Sequence, residues 1–115
     1  MIQLEAQRGR VRLRMIALPM GRDLCVTLSG GDQEHIGAVA LRHPGGAETQ
    51  VLTLPEHRED ELARTIAARL SAHQGATVCV ACGIHLDDIQ PSEIADVLEL
   101  AEELTRQLMD RLDAS

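Results

Sequence analysis

The apolar and polar positions at the start of the chain follow the period of a β-strand. Val11, Leu13 and Met15 alternate with arginines, which is the period-two pattern of a half-buried strand. The phase changes before Gly9, where the even positions are apolar instead, so a bulge or a turn is expected there. We therefore interpret residues 2–18 as a long strand or a hairpin.

Four later segments also have the composition of strands, and turn residues separate most of them. They are residues 23–31, 36–41, 49–54 and 76–84. The last of these is almost continuously apolar (ATVCVACGI), which is typical of a strand that is covered on both faces.

Two segments repeat their apolar residues at helical spacing. Leu62, Ile66 and Leu70 lie four residues apart, which predicts a first helix over residues 56–73. A second helix is predicted over residues 91–112, where a proline suits the first helical position. The expected core stripe of this second helix is Ile94, Val97, Leu98, Ala101, Leu104, Leu108 and Leu112.

The order of these elements, ββββ-α-β-α, predicts an α+β fold with two layers. A mixed, mostly antiparallel sheet would form one layer, and both helices would pack on one of its faces. With 115 residues the chain suffices for one domain, which we assign to residues 1–115. The second sheet face would stay uncovered, so we predict a homo-oligomer in which sheets or sheet edges meet.

The composition excludes several classes of function. The chain has no aromatic residue to stack on bases, and its net charge of −7 disfavours binding to nucleic acid. It has no lysine, which excludes Schiff-base chemistry and a P-loop lysine. No apolar run approaches the ~20 residues of a membrane span, and the charged start lacks the pattern of a secretory signal. We therefore expect a cytoplasmic protein, which its three cysteines fit.

Three segments carry residues that are suited to binding or to chemistry. The first is the glycine-rich turn SGGDQEHIG, in which Gly30 and Gly31 permit positive φ and offer backbone N–H groups to an anion. His35 follows at the start of the next strand, so a regular element would hold its ring. The alternative interpretation is a polar hairpin with an exposed histidine.

The second segment, CGIHLDD, lies at the end of the apolar strand, where α/β sheets commonly carry binding residues. His85 is followed by two aspartates that could orient its imidazole, unless the segment is only a loop with acidic residues before a helix. The third segment, LPEHRE, places His57 near the start of the first helix, either as a site residue or as a solvated histidine. No role is assigned to His43 or His73.

Histidines and cysteines also raise the question of a metal. His35, His57 and His85 could converge on a zinc ion, although they come from separated segments without HExxH or paired-cysteine spacing. Cys79 and Cys82 lie three residues apart on a strand, so their side chains are expected to face opposite sides and are assigned to the core.

Arginines recur at every second position from residue 8 to residue 14. On one strand face they would form a ladder with steps of ~7 Å that could hold a phosphate or an acidic partner. The alternative is an exposed strand face that is protected from edge pairing, with the acidic last helix neutralising it.

Three motifs taken together resemble a known family. GGDQEHIGAVAL, LPEHREDELA and CGIHLDDIQPSEI occur in the order and spacing of the small D-type subunits of gallate decarboxylase, also described as LpdD-like prenylated flavin chaperones. The likeness runs from about residue 21 to the end of the last helix. The combination of GG-D-x-x-HIG with GIH-x-D is moderately specific, whereas either motif alone is weak.

This resemblance implies an accessory protein, with the decarboxylation itself performed elsewhere. Such a protein would bind prenylated flavin mononucleotide, made by a flavin prenyltransferase, and would hand it to the large subunit of an aromatic acid decarboxylase. The residues expected to bind the cofactor are Gly30, Gly31, Asp32, His35, Gly37, His57, Gly83, His85 and Asp87. No catalytic residue and no metal ligand is assigned.

Two other functions stay open on the residues alone. One is a small oligomeric enzyme similar to chorismate mutase or to the YjgF deaminases, with its active site between subunits. The other is a histidine-based metal-binding protein, which would retain a stoichiometric transition metal. Bound flavin without turnover would favour the accessory protein over both.

Overall fold

A six-stranded sheet and two helices make up the part of the chain that the structure describes, a computed structural model covering residues 1–46, 48–55 and 59–114. The predicted site residue His57 lies outside these ranges. The elements are β1 (Ile2–Arg8), β2 (Val11–Met20), β3 (Asp23–Gly31), β4 (Gln33–Arg42), β5 (Gln50–Thr53), α1 (Asp60–Gln74), β6 (Val78–His85) and α2 (Pro91–Asp113).

The first predicted strand is a hairpin of two strands. β1 and β2 pair antiparallel, with Arg8 opposite Val11, and Gly9 turns the chain with a φ of 58°. Glycine adopts this left-handed conformation without steric cost, which explains the change of phase in the sequence pattern at this point. Five strands therefore precede α1, and the predicted α+β class with two helices on one sheet face is confirmed.

The strand order of the sheet is β1-β2-β3-β6-β4-β5, so β6 lies between two strands that are consecutive in the chain. β6 is parallel to β3 and antiparallel to β4. Asp32 alone separates β3 from β4 in the chain, but β6 lies between the two strands in the sheet. The two strands therefore diverge from their turn, and the end of β6 lies where they diverge. His85, the last residue of β6, pairs with both Gly31 and Gln33. We call this place, formed by residues 31–33 and His85, the fork.

The core lies between the sheet and the two helices and consists of aliphatic and sulfur-containing side chains. α1 packs on β4 and β6, and α2 packs on β1 and β2. In the absence of aromatic residues, leucine, valine and methionine fill this layer. The largest fully buried side chains include Leu13, Met15, Leu28, Leu70, Leu104 and Leu108.

The helices differ from prediction mainly at their margins. α1 begins at Asp60 rather than near residue 56, and it ends before Gly75, whose φ of 60° is the expected left-handed cap. On α2, Ile94 and Leu98 are about half exposed, whereas Leu100 is buried. The predicted stripe was too wide because α2 covers the β1–β2 end of the sheet and only its inner positions reach the core.

The other face of the sheet, which we call the open face, carries no helix among the described residues. Near the fork it holds charged and polar side chains, including Glu5, Arg12, Arg14 and Ser29. Between this charged region and the far ends of the strands the face is uncharged, and we define this uncharged part by Ile16, Leu18, Cys25, Thr27, Val39, Leu41, Leu52, Cys79 and Ala81. Neither α1 nor α2 is long and apolar enough to cross a membrane.

Candidate functional site

Two of the three predicted site histidines meet at the fork. The imidazole rings of His35, on β4, and His85, on β6, have centroids 6.5 Å apart and planes inclined by 77°. With Gln33 and Ile36 they line an open cavity of about 290 Å³. The structure thus joins two segments that lie far apart in the sequence, while His57 is outside the described residues.

A bulge in β4 gives these side chains their directions. Pairing between β4 and β6 is regular up to Glu34 and resumes at Ala38, so residues 35–37 stand opposite the single residue Gly83. Bulges of this kind bend a strand and change the direction of its side chains. Ile36 is consequently turned out of the sheet, and 60% of its surface is exposed.

Glu59, which the sequence analysis did not assign to the site, occupies the gap that the bulge opens. Its Oε1 lies 3.2 Å from Nε2 of His35, and it also accepts a hydrogen bond from the backbone N–H of Ile84 at 3.2 Å. The Glu59 side chain is only 12% exposed. The carboxylate therefore supplies Ile84 with an acceptor where β4 has bulged away, and it orients His35.

The helix does not explain the presence of Glu59 at its position. Glu59 is the N-cap residue of α1, yet its side chain makes no capping hydrogen bond. Glutamate is not among the residues preferred at this position, where serine, threonine, aspartate and asparagine predominate. A glutamate placed there is better explained by its contacts with β4 and β6 than by the helix.

Two predicted glycines are required by the close approach of the strands. A Cβ atom on Gly83 would overlap the carbonyl oxygen of His35, and one on Gly31 would overlap the carbonyl oxygen of His85. Gly31 also has a φ of 79°, which agrees with the predicted positive φ in this turn. These glycines set how closely the backbones approach around both histidines.

The other two predicted glycines serve a similar structural purpose. A Cβ atom on Gly37 would lie 2.5 Å from Oε2 of Glu59, so a side chain there would displace the carboxylate. A Cβ atom on Gly30 would overlap the carbonyl oxygen of Arg12 on β2. The glycine motif is thus explained by packing, with Gly37 needed for the position of Glu59.

His85 has a carboxylate of its own, as the sequence suggested. Its Nε2 lies 2.9 Å from Oδ1 of Asp87, and its side chain is half exposed. Asp32 donates its backbone N–H to the carbonyl oxygen of His85, and its carboxylate accepts the backbone N–H of Asp87 at 3.1 Å. Asp32 therefore links the β3–β4 turn to the loop after β6 and holds the backbone on both sides of the His85–Asp87 pair.

The four arginines do not form a single ladder. Arg8 and Arg10 flank the turn between β1 and β2 and pair with acidic residues of α2, Arg8 with Glu99 and Arg10 with Glu93 at 2.5 Å. Hydrogen bonds donated to these carboxylates raise the pKa of both arginines, and the bond from Arg10 lowers the pKa of Glu93. The predicted neutralisation by the last helix is therefore present for these two.

The other two arginines lie on the open face beside the fork. Arg12 contacts Glu5 at 3.1 Å, and Arg14 contacts Glu34 at 3.1 Å. Both line a second open cavity, of about 320 Å³, which also includes Gly31. Two cations thus lie beside the fork, each with an acidic neighbour.

Cys79 and Cys82 face opposite sides of the sheet as predicted, but only Cys82 belongs to the core, since Cys79 is partly exposed on the open face, which neither α1 nor α2 covers. Cys82 is fully buried toward the helices, and its burial, with a smaller effect of the Glu59 charge, raises its pKa to about 12. Cys79 lies on the open face opposite Cys25, and burial also raises its pKa. A thiol with a raised pKa is a poor nucleophile, so neither belongs to a reactive cysteine site.

Nowhere in residues 1–46, 48–55 and 59–114 do three or more histidine, cysteine or acidic side chains come together in a way that could hold a metal ion. The predicted histidine triad includes His57, which lies outside those ranges. The described part of the site instead contains two imidazoles, each beside a carboxylate. A carboxylate fixes the orientation of its imidazole, so that the other ring nitrogen has a defined direction for a ligand.

Comparison with known proteins gives three similarities. Residues 7–113 match the family model described as a prenylated flavin chaperone LpdD-like domain. The chain is 22% identical over 119 residues to Protein LpdD of Lactiplantibacillus plantarum (strain ATCC BAA-793 / NCIMB 8826 / WCFS1), and the match covers 99% of this chain and 87% of that protein.

The third similarity is to a solved structure described as a novel chaperone complex for yeast 20S proteasome assembly. The TM-score is 0.62 at 16% sequence identity, and the alignment covers 96% of this chain and 95% of that chain. At this level of identity the likeness shows a shared fold only. It supports the strand order and the position of the two helices.

Proposed function

Since this chain belongs to the family of prenylated flavin chaperone LpdD-like domains, we propose that it is an accessory protein that binds prenylated flavin mononucleotide and delivers it to an aromatic acid decarboxylase. The membership agrees with the resemblance in the three sequence motifs. We place the flavin at the fork and the decarboxylation itself on the large subunit of the partner. We also propose that the protein acts in the cytoplasm and receives the flavin from a flavin prenyltransferase.

The observation that carries this proposal is the pair of oriented imidazoles at the fork. His35 and His85 come from different strands, lie 6.5 Å apart and face one cavity. Glu59 and Asp87 hold the two rings. A flavin ring system has carbonyl oxygens and ring nitrogens along one edge, and two fixed imidazoles can hydrogen-bond to such an edge.

The surroundings of the histidines fit a ring that is held by its edge. The chain has no aromatic side chain on which a flavin could stack, and the cavity is open. Ile36 is the apolar side chain of this cavity. These contacts suit a modest affinity, which a protein that hands over its ligand needs. Once delivered, prenylated flavin supplies its covalent chemistry in the decarboxylase.

We place the phosphate of the flavin near Arg12 and Arg14. Both arginines line the cavity next to Gly31, and β2 lies two strand spacings, about 10 Å, from His85 on β6. Their ion pairs with Glu5 and Glu34 are about half exposed. Exposed pairs contribute only ~0–1 kcal/mol, so a doubly charged phosphate can displace them.

The predicted homo-oligomer also belongs to this proposal. The uncharged part of the open face contains Leu18 and Leu41, which are both about half exposed. Association of two copies through this part would remove apolar surface from water without burying charge. Its position beside the fork would leave the histidine cavity at the margin of such an interface.

Co-expression with a flavin prenyltransferase tests the proposal. The protein is purified without oxygen, and native mass spectra and absorbance spectra are recorded. We expect one prenylated flavin mononucleotide per subunit and a subunit number above one. Protein that retains no flavin under these conditions would contradict the proposal, and elemental analysis of the same sample would then test the metal-binding alternative.

Paired histidine variants test the site. We expect His35→Ala with His85→Ala to abolish flavin retention while the circular dichroism spectrum stays that of a folded protein. The matched control replaces His43 and His73, which contact Thr77 and Asp113 away from the fork, and it should retain flavin. Retention in a folded H35A/H85A variant would show that the flavin binds elsewhere.

A further inference from the structure

The bulge in β4 presents one apolar side chain to solvent beside the two histidines. Ile36 is 60% exposed and lines the same cavity as His35 and His85. Isoleucine is among the residue types that folding buries most often. A regular β4 would pair residue for residue with β6, so the exposure of Ile36 is a direct result of the bulge.

The bulge itself is supported by several neighbouring residues. The Glu59 carboxylate fills the gap and binds the backbone N–H of Ile84. Gly37 leaves room for that carboxylate, and Gly83 lets the carbonyl of His35 approach. These contacts hold the bulge open. The exposed position of Ile36 is therefore maintained by the packed residues around the bulge and is not the exposure of a side chain on a loop.

We infer that Ile36 determines specificity for the prenylated form of the flavin by contacting the hydrocarbon group that ordinary flavin mononucleotide lacks. This inference rests on the proposed function and adds the group that would distinguish the two flavins. The imidazoles can bind polar edges that both flavins share. Ile36 is the aliphatic side chain that lines their cavity, so it is the residue that can make a hydrophobic contact with the added group.

The expected size of the effect follows from the area involved. Covering an exposed isoleucine side chain with hydrocarbon transfers apolar surface of both partners out of water. Truncating it to alanine should therefore weaken binding of the prenylated flavin roughly tenfold, which is the usual effect of losing one to two methylene contacts. Binding of ordinary flavin mononucleotide should change less than about twofold, because it has no group at this position.

The experiment compares dissociation constants for the two flavins in three proteins. Prenylated flavin mononucleotide is prepared with a flavin prenyltransferase and titrated without oxygen, and flavin mononucleotide is titrated in parallel. The proteins are the natural chain, Ile36→Ala and Leu98→Ala. Leu98 is 54% exposed on α2, outside the histidine cavity, and so matches Ile36 in exposure but not in position. We expect only I36A to lose the preference for the prenylated form.

The other outcomes overturn either the role of Ile36 alone or the proposed function as well. An unchanged preference in I36A overturns the role of Ile36 and leaves the proposed function standing. Equal affinity of the natural chain for both flavins has the same meaning. A natural chain that binds neither flavin overturns the proposed function and this inference with it. An altered subunit number in I36A, with the preference kept, would assign Ile36 to an interface between copies instead.

Discussion

At Gly83 the site depends on the absence of a side chain. The residue faces the bulge of β4, and a Cβ atom there would overlap the carbonyl oxygen of His35. Because the opposing atom belongs to the backbone, it cannot rotate away as a side chain would. A methyl group would therefore separate β4 from β6 and move the two histidines relative to each other.

We expect Gly83→Ala to lower the free energy of unfolding by about 2–3 kcal/mol, the upper part of the range for overpacked interiors, because the overlap is with a backbone atom. Gly75→Ala is the comparison: a Cβ atom there has nothing within 4 Å, and only the positive φ of 60° is unfavourable. It should cost about 1 kcal/mol. Urea denaturation of both variants measures the difference, and equal losses would contradict the packing argument.

The sequence singles out some residues of the candidate site and not others, for physical reasons. His35, His85 and Asp87 stand out because imidazoles and carboxylates near glycines are chemically conspicuous. Glu59 does not, because an acidic residue at the start of a helix has an ordinary explanation in the helix dipole. Its contacts with His35 and Ile84 arise only when α1 packs against the bulge, which no local pattern encodes.

At the scale of elements, the periodicity predicts both helices and the strands after residue 20, but it leaves residues 2–18 as one long strand or a hairpin, and it does not give the order of the strands. Alternation identifies the buried face of β2, and the apolar run identifies β6 as a central strand. Neither pattern says which strands β6 separates. Pairing across the sheet depends on contacts between distant residues, so the fork between β3 and β4 becomes evident only from the structure.

The start of α2 allows a prediction about pH. Glu93 is the third helical residue, accepts the backbone N–H of Gln90 and pairs with Arg10 at 2.5 Å. The hydrogen bond from Arg10, and then that from Gln90, lowers its pKa from the usual 4.5. A carboxylate whose pKa is lower in the folded chain stabilises the fold above its unfolded pKa. This contribution is lost as the pH falls through the folded value.

We therefore expect Glu93→Gln to lower the melting temperature at neutral pH. The difference from the natural chain should shrink as the pH falls below the usual glutamate pKa of 4.5 and should vanish below the lowered pKa of the folded chain. Glutamine preserves the capping interaction, so this substitution isolates the charge. Glu93→Ala removes both and should remain less stable than the natural chain in acid. Thermal melts across this pH range make the comparison. A Gln variant with a pH-independent deficit would show that the charge has no part in it.

Over the whole molecule, charge and apolar surface are separated. Acidic residues of α2 are partly neutralised by Arg8 and Arg10, and side chains of both signs of charge lie beside the fork. The uncharged part of the open face, by contrast, extends over positions of β2 to β6 that carry aliphatic, cysteine and threonine side chains. A face of this kind is where a chain with a net charge of −7 can approach its own copy without strong repulsion.

We expect the natural chain to have a native mass that is a multiple of 12.5 kDa, and Leu41→Glu to have the mass of one chain. A carboxylate at this half-exposed position would have to lose its water in an interface, which is costly without a partner. Leu98→Glu, on the helical side, is the control and should keep the oligomer. An oligomer that survives L41E would mean that sheet edges meet instead of open faces.

The position of β6 also bears on how the protein is made. A ribosome releases β3 and β4 long before residues 78–85, and a single residue links the two strands. Until β6 arrives, nothing holds them apart, and the shortest closure available to them is an ordinary hairpin. β6 must therefore enter between two strands that are already synthesised. Because His85 comes with β6, a chain that ends before residue 85 has no fork, and we expect that it would not retain the flavin that we propose to bind there.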